Sequence, residues 1–474
     1  MPKFDDQTIE TLFGADDAEA ERPERFKEYF FYNGAYDSVI SNLPIRVLVG
    51  HKGVGKSALL KRAFLADTEA DKIAFWLQSG DIDAIRPINS TASSLVARIE
   101  GWKQGISAFL ASSLLKLVYP ESYESTLDQI RSGSATSLRE VYTRALEIYA
   151  KERGIDPKSL TVTLYIDDID RGWTANSEDI KNISALLNAM RDIAGPDDRI
   201  RFRIGLRSDV YFLVRTSDES TDKIERNVIW IKWTNDEILR LAAKRIQTFF
   251  KVEVDERALK GLQQPQITQT ILSKVIDPVF RGKGHWDNRP IHNVLLSLTR
   301  ARPRDLVKLF HGAARRAQSR NHQIISSEDL DDSFQSYSQE RLQDIINEFR
   351  TELPQIENLL LNMRPTKKQQ RTAENYQFST DRLSVKLQEI MQHVTLRFAN
   401  GRYVTPRSLI QFLYKIDFIT ARRKTASGID RKYFDESRFL ATEIVEFGYG
   451  WEIHPAYRWA LQPQDIQDVI NSLD

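Results

Sequence analysis

Residues 50–57 read Gly50-His51-Lys52-Gly53-Val54-Gly55-Lys56-Ser57, a complete G-x-x-x-x-G-K-S pattern. No other string in the chain narrows the accessible folds so far. It needs a buried strand before it and a helix after it. Its glycines turn backbone N–H groups inward around phosphate, and the helix N-terminus adds positive potential. Both neighbours are present: Ile45-Arg46-Val47-Leu48-Val49 reads as a buried strand and Ala58-Leu59-Leu60-Lys61-Arg62-Ala63-Phe64 as the helix. The backbone of Gly50, His51, Lys52, Gly53, Val54, Gly55, Lys56, Ser57 and Ala58 is the predicted phosphate cradle. Lys56 would reach the β- and γ-phosphates, and the Ser57 hydroxyl would ligate Mg2+. The plainer alternative is a Gly-rich turn with no ligand; the agreement of strand, loop and helix argues against it.

A second half of the site lies downstream. Leu160-Thr161-Val162-Thr163-Leu164-Tyr165-Ile166 is rich in β-branched and aromatic residues and ends in Asp167-Asp168. That composition predicts a buried strand. An acid at the carboxyl end of a parallel strand can hold the Mg2+ shell, so Asp167 is the metal candidate. Asp168 can polarise an attacking water. Helix capping or turn formation is the alternative for Asp168 and Asp170.

Composition bounds the rest. The 474 residues carry 41% hydrophobic and 28% charged side chains with a net charge of +1, ordinary for a soluble globular protein. No global field marks a nucleic-acid or membrane binder. The chain has no cysteine, which excludes disulfides, thiol catalysis and Cys-ligated zinc. Seven histidines show no ligand spacing, and no G-x-S-x-G nucleophile elbow occurs. No basic-then-apolar leader pattern opens the sequence, and no apolar run is long enough to span a bilayer. The expectation is a cytoplasmic protein without a membrane partner.

Along the chain, residues 1–40 form an acidic arm followed by a segment dense in aromatics (Phe26, Tyr29, Phe30, Phe31, Tyr32, Tyr36). That segment is either a helix packed on the core or a wall of an adenine pocket. Residues 41–233 alternate strands (Ile73-Ala74-Phe75-Trp76-Leu77, Arg201-Phe202-Arg203-Ile204-Gly205-Leu206, Val228-Ile229-Trp230-Ile231-Lys232-Trp233) with helices, and hold a helical insertion over 92–153. This alternation predicts a parallel sheet covered on both faces. Residues 234–338 read as a small all-α lid. Residues 339–474 read as polar helices, a charged loop over 364–371, then a winged-helix-like module. Its hairpin would pair Lys432-Tyr433-Phe434 with Trp451-Glu452-Ile453-His454. The basic string Arg422-Arg423-Lys424 and Arg431-Lys432 flanks that hairpin, either as DNA-backbone contacts or as a solvated edge.

The order of loop, insertion, Tyr165-Ile166-Asp167-Asp168-Ile169-Asp170-Arg171, Arg207-Ser208 and helical lid resembles the KAP and STAND branches of AAA+-type P-loop NTPases. The resemblance is closest to soluble bacterial members, which are similar in Phe13-Gly14, Ala18-Glu19, Trp173 and Trp451 with His454-Pro455. KAP proteins often carry membrane helices in the insertion; here Gln104 and Lys116 interrupt its most apolar stretch. The resemblance implies an α/β core with lid and winged-helix-like domain, ATP and Mg2+ as ligands, and a homo-oligomer. It implies Arg207 as a γ-phosphate sensor, with a surface salt bridge as alternative. Arg304, in Arg302-Pro303-Arg304-Asp305, resembles a lid sensor, with an ordinary helix start as alternative. Arg226 stands where a trans-acting arginine finger is carried, with Lys223 and Arg171 as rivals. Asp168 replaces the glutamate of many AAA+ enzymes; its shorter side chain implies slow turnover.

Three functions follow. The first is an ATP-hydrolysing oligomeric switch, set by the resemblance in bacterial antiphage or stress defence and acting on a separate effector. The second is a DNA-binding ATPase that uses the C-terminal module. The third is a nucleotide-binding scaffold with negligible turnover.

Overall fold

Val47, Leu48 and Val49 are fully buried, so the strand before the loop is covered on both faces, as parallel sheets require. The computed structural model describes residues 3–15, 18, 21–78, 80–82, 94–132, 138–173, 176–217, 219–282, 286–365, 375–425, 428–434, 436–437 and 448–462. Glu19 and most of the charged 364–371 loop fall outside them. The chain divides into two units, Arg22–Lys232 and Met1–Glu21 with Trp233–Asp474. The first helix, α1 (Asp6–Phe13), therefore groups with the second unit. The apolar face of α1 (Ile9, Leu12, Phe13) is buried in the core that also holds Ile238 and Phe310.

In the first unit, α2 (Pro23–Tyr29) and α3 (Gly34–Val39) carry the aromatic segment. Their rings pack on one another, and α3 packs on the strand and helix that flank the loop. The sheet comprises β1 (Ile45–Gly50), β2 (Ile73–Leu77), β3 (Val162–Ile166), β4 (Ile200–Arg207) and β5 (Val228–Trp230). All are parallel, in the order β2-β3-β4-β1-β5. Register sets Gly50 opposite Arg207, and Ile166 opposite Leu77 and Ile204. The loops after β1, β3 and β4 thus leave the same edge, where doubly wound sheets bind ligands. Helix α4 (Lys56–Glu69) follows the loop. The insertion is α5 (Leu95–Val118), α6 (Tyr123–Ser132) and α7 (Leu138–Arg153); α5 packs on α8 (Ser177–Ala194) and buries Trp102, Ile106, Leu110 and Leu114. Helix α9 (Ser208–Ser217) leaves β4 directly.

The second unit holds α10 (Asn235–Phe249), α11 (Glu256–Gly261), α12 (Gln264–Thr270), a short pair β6 (Val279–Phe280) and β7 (Arg289–Pro290), α13 (Ile291–Leu298), α14 (Pro303–Ser319) and α15 (Ser327–Asp331). A capping box at Thr234 and Glu237 starts α10, as the sequence Thr234-Asn235-Asp236-Glu237 dictates. Helix α16 (Phe334–Phe349) runs through residue 338, so its first turns join one core and its last turns another. The second core gathers α17 (Ile356–Leu361), β8 (Gln377–Phe378), α18 (Thr380–His393), α19 (Pro406–Lys415), β9 (Ile419–Thr425), β10 (Gly428–Lys432) and β11 (Gly450–Ile453). Its sheet is antiparallel in the order β10-β9-β11-β8. The hairpin expectation is corrected here: Trp451 pairs with Ala421 and Phe378, and Lys432 also pairs with Ala421 from the opposite edge of β9. Ile419-Thr420-Ala421 is the buried central strand that both flanking segments need.

Candidate nucleotide-binding site

Gly50 ends β1, and a Cβ there would lie 2.7 Å from Val54 Cγ2. Only glycine lets the loop fold back over the strand end. Gly53 and Gly55 have φ of 84° and 97°, values that a side chain disfavours. Gly55 is the N-cap of α4 and offers no side-chain cap, the arrangement an anion at a helix N-terminus needs. Lys56 Nζ donates to the carbonyls of Gly50 at 2.9 Å and His51 at 3.2 Å, closing the loop on itself. His51 and Val54 are buried, Lys52 is exposed, and Ser57 and Ala58 open the first turn of α4.

Asp167 follows β3 directly, and its N–H donates to Leu77 O at 3.1 Å. Its carboxylate is 3% exposed and accepts a hydrogen bond from the Ser57 hydroxyl. Oδ2 has no hydrogen-bond partner among the described residues. Oδ1 lies over β4, where a Cβ on Gly205 would come within 2.9 Å of it. Burial pushes the Asp167 carboxyl above its usual range, against the pull of Ser57 and of the Lys56 charge. A buried, half-satisfied carboxylate beside a serine hydroxyl is a hard oxygen donor set that fits a dication.

Asp168 is exposed with φ of 58°, a left-handed conformation that Asp tolerates better than most side chains. Its carbonyl accepts from Arg171 N–H at 3.1 Å, so the chain turns sharply after the acids. Neither acid caps the next helix, which is capped by Asn176. Asp170 instead accepts the backbone N–H of Arg207 at 3.2 Å and lies 3.8 Å from its Nε. Burial raises the Asp170 carboxyl, and Arg207 opposes that rise.

Arg207 ends β4 beside Gly50, and Asp209 grips it with both oxygens, to Nε at 3.0 Å and Nη2 at 2.8 Å. Lys56, Ser57, Asp167 and Arg207 therefore share one edge of one sheet. Arg226 is exposed, in the short 3-10 segment before the edge strand β5. Arg304 is the second residue of α14 in the other unit and is half-buried. Its motif neighbours are structural. Arg302 pairs with Asp417 at 2.5 Å, and Asp305 accepts from Arg300 at 2.7 and 2.9 Å and from Arg341 at 3.0 Å. Burial opposes ionisation of Asp305, but Arg300, Arg341 and Arg302 outweigh it and hold the carboxyl far below the usual range.

Two residues escaped the sequence reading. Gly205 had a signal, a glycine inside a strand, which marks close approach. Asp209 had none beyond its place two residues after Arg207.

Three arginines of the basic string have acidic partners. Glu452, 1% exposed, binds Arg422 at 3.4 Å, Arg458 at 2.9 Å, and Arg431. Arg423 lies 3.4 Å from Asp430 and 4.5 Å from the Tyr449 ring.

A parallel sheet with a complete phosphate loop after β1 and an acid-ended strand, β3, set across β4 from it defines a P-loop NTPase fold. Comparison with known proteins adds the following. Residues 236–346 match the FunZ-associated C-terminal helical domain. A transposon gamma-delta 80.3 kDa protein of Escherichia coli (strain K12) is 22% identical over 328 residues, 66% of this chain and 43% of its own length. The chain thus spans less than half of that relative. Allergen Alt a 2 of Alternaria alternata is 26% identical over 145 residues, 31% of this chain and 67% of the allergen. Among solved structures, a Walker-type ATPase of Pyrococcus abyssi has a TM-score of 0.39 at 12% identity, covering 93% of this chain and 97% of its own. The ORC2 protein of Aeropyrum pernix, an ADPNP–ADP complex, has a TM-score of 0.38 at 11% identity, covering 90% and 88%. No helix among the described residues is long and apolar enough to cross a membrane.

Proposed function

We propose that this chain is a magnesium-dependent ATPase that acts as a slow, oligomeric switch. The observation that carries the reading is the buried Asp167 carboxylate, one oxygen open, set beside Ser57 at the mouth of a glycine-shaped loop. The backbone of residues 50–58 would cradle the phosphates, and Lys56 would exchange its two carbonyl partners for phosphate oxygens. Ser57 and Asp167 would hold Mg2+, whose chemistry there is neutralisation of phosphate charge. Asp168, exposed at a sharp turn, would orient the attacking water. Arg207 would bind the γ-phosphate from the neighbouring strand; for Arg304, a nucleotide-sensing role is what the resemblance supports. Arg226, exposed before the edge strand, would act on the nucleotide of a second copy.

The resemblance to the KAP and STAND branches supports a switch in bacterial antiphage or stress defence, working in the cytoplasm on a separate effector. The transposon-borne relative is in keeping with a mobile-element setting. For DNA binding, the winged-helix-like order of α17–α19, β9 and β10 is the supporting observation. Against it, Arg422, Arg423 and Arg431 are engaged by carboxylates. Helix α19 also buries Leu409, Ile410, Phe412, Leu413 and Tyr414, which leaves little of it to read a groove.

Mass measurement with and without MgATP tests the assembly. A multiple of 54.7 kDa that forms with MgATP and is lost in Arg226→Ala supports the trans role. A single-chain mass under both conditions refutes it.

A further inference from the structure

We infer that the groove between α18 and α19 docks an acidic peptide segment carrying an apolar anchor residue. The groove has a volume of about 440 Å3. Leu396 and Phe398 line it from the core, and Met391, Val394 and Val404 lie half-buried against the same core. Arg397, Arg402 and Tyr403 also line it and are exposed, Tyr403 to 90%. Tyrosine and arginine beside an apolar groove are the side chains that anchor protein interfaces. The loop that carries them is set in advance. Gly401 has a φ of 76°, and its N–H donates to Phe398 O at 3.0 Å. The Arg397 N–H donates to Gln355 Oε1 at 3.1 Å, and the Ala399 N–H to Glu352 O at 2.9 Å. Docking there costs little loop ordering.

Charge selects the occupant. From Met391 to Ile416 the chain holds Arg397, Arg402, Arg407 and Lys415 but no Asp or Glu. The Arg397 guanidinium has no partner among the described residues, and Arg402 Nη2 donates to the neutral Gln411 Oε1 at 2.7 Å. Glu352, whose backbone holds the loop, has its oxygens on Lys415 Nζ at 2.9 and 2.8 Å. Arg422, Arg423 and Arg431 differ in having carboxylate partners. A segment bringing both carboxylates and one large apolar side chain meets the arginines and the groove together. A nucleic-acid strand fits less well, because it stacks successive bases on successive rings. Here Phe398 is buried and Tyr403 alone of the lining rings is exposed. Assigning this segment to the effector rests on the switch reading above; the groove itself does not.

The test titrates a fluorescein-labelled peptide, Glu-Asp-Glu-Leu-Phe-Glu-Asp-Glu, with the full chain in the absence of nucleotide, followed by anisotropy. Saturable binding is expected. It should weaken about tenfold in Tyr403→Ala and again about tenfold in the double variant Arg397→Ala with Arg402→Ala. It should be lost when Leu-Phe in the probe is replaced by Ser-Ser. The substituted side chains are exposed, so urea unfolding of each variant should match wild type. A wild-type chain that does not bind the probe overturns the inference, as does binding that neither variant weakens. An oligothymidylate that displaces the probe, and itself binds more weakly to Tyr403→Ala, makes the groove a nucleic-acid site and overturns it as well. So does a nucleotide-free mass above one chain that falls to one chain in Tyr403→Ala, which assigns the groove to a second copy. Failure of the ATPase reading looks different: wild type and Lys56→Ala then release phosphate equally, and the peptide titration is unaffected.

Discussion

Gly205 and Asp167 occupy one space from two strands. The Asp167 carboxylate sits where a Gly205 side chain would be, with Leu60 Cδ1 another 3.3 Å neighbour of that position. Gly205→Ala therefore forces either the acid or α4 to move. We expect a loss of about 1–3 kcal/mol in urea unfolding, together with weaker MgATP binding by calorimetry. The raised Asp167 carboxyl has its own consequence. A dication binds the ionised form, so MgATP affinity should fall as pH drops through a value above the ordinary aspartate pKa near 3.8. Stability moves the other way. A carboxyl whose folded pKa is raised binds more protons folded than unfolded, so Asp167 and Asp170 lower stability as pH rises through that window. Calorimetric titrations across mildly acidic pH check both signs. The placement of Lys56, Ser57 and Asp167 at one end of the sheet follows from two local strings, the loop pattern and a hydrophobic strand that ends in acid. Asp209 and Gly205 were not legible in this way, since their meaning depends on which strand lies beside which.

At the scale of elements, the sheet strands and the insertion helices α5 and α7 follow from periodicity and composition, and the parallel alternation predicted their class. Helix α6 falls within the helical insertion expected over 92–153, although its sequence, Tyr123-Glu124-Ser125-Thr126-Leu127, is mostly polar and signals a separate helix weakly. The C-terminal strands were mispaired for a different reason. Pairing is a long-range choice, and only burial of β9 between β10 and β11 decides it. That pairing matters for function, because it delivers Arg422 and Arg431 to Glu452. We therefore expect no duplex binding at moderate salt in a gel shift, and no change on removing the Arg422 and Arg423 charges. Binding that weakens with that removal would favour the nucleic-acid reading instead.

For the whole molecule, the chain passes between its two units at 21–22 and again at 232–233. Helix α1 is an integral part of the second unit. Phe13 stacks on Phe310 at 4.7 Å, and the Phe13 carbonyl accepts from Arg245. Removing residues 1–21 strips buried Phe4, Ile9, Leu12 and Phe13 from that core. Each such side chain is worth about 1.5–3 kcal/mol, so the truncated chain should unfold at markedly lower urea, with the loss expected in the second unit. The central claim is narrower than the architecture: the loop at 50–57 and Asp167 bind MgATP and turn it over. Phosphate release from MgATP tests it most directly. The account predicts slow release by wild type, abolished in Lys56→Ala and strongly reduced in Asp168→Asn. Equal release by wild type and Lys56→Ala, or none from wild type, would contradict it.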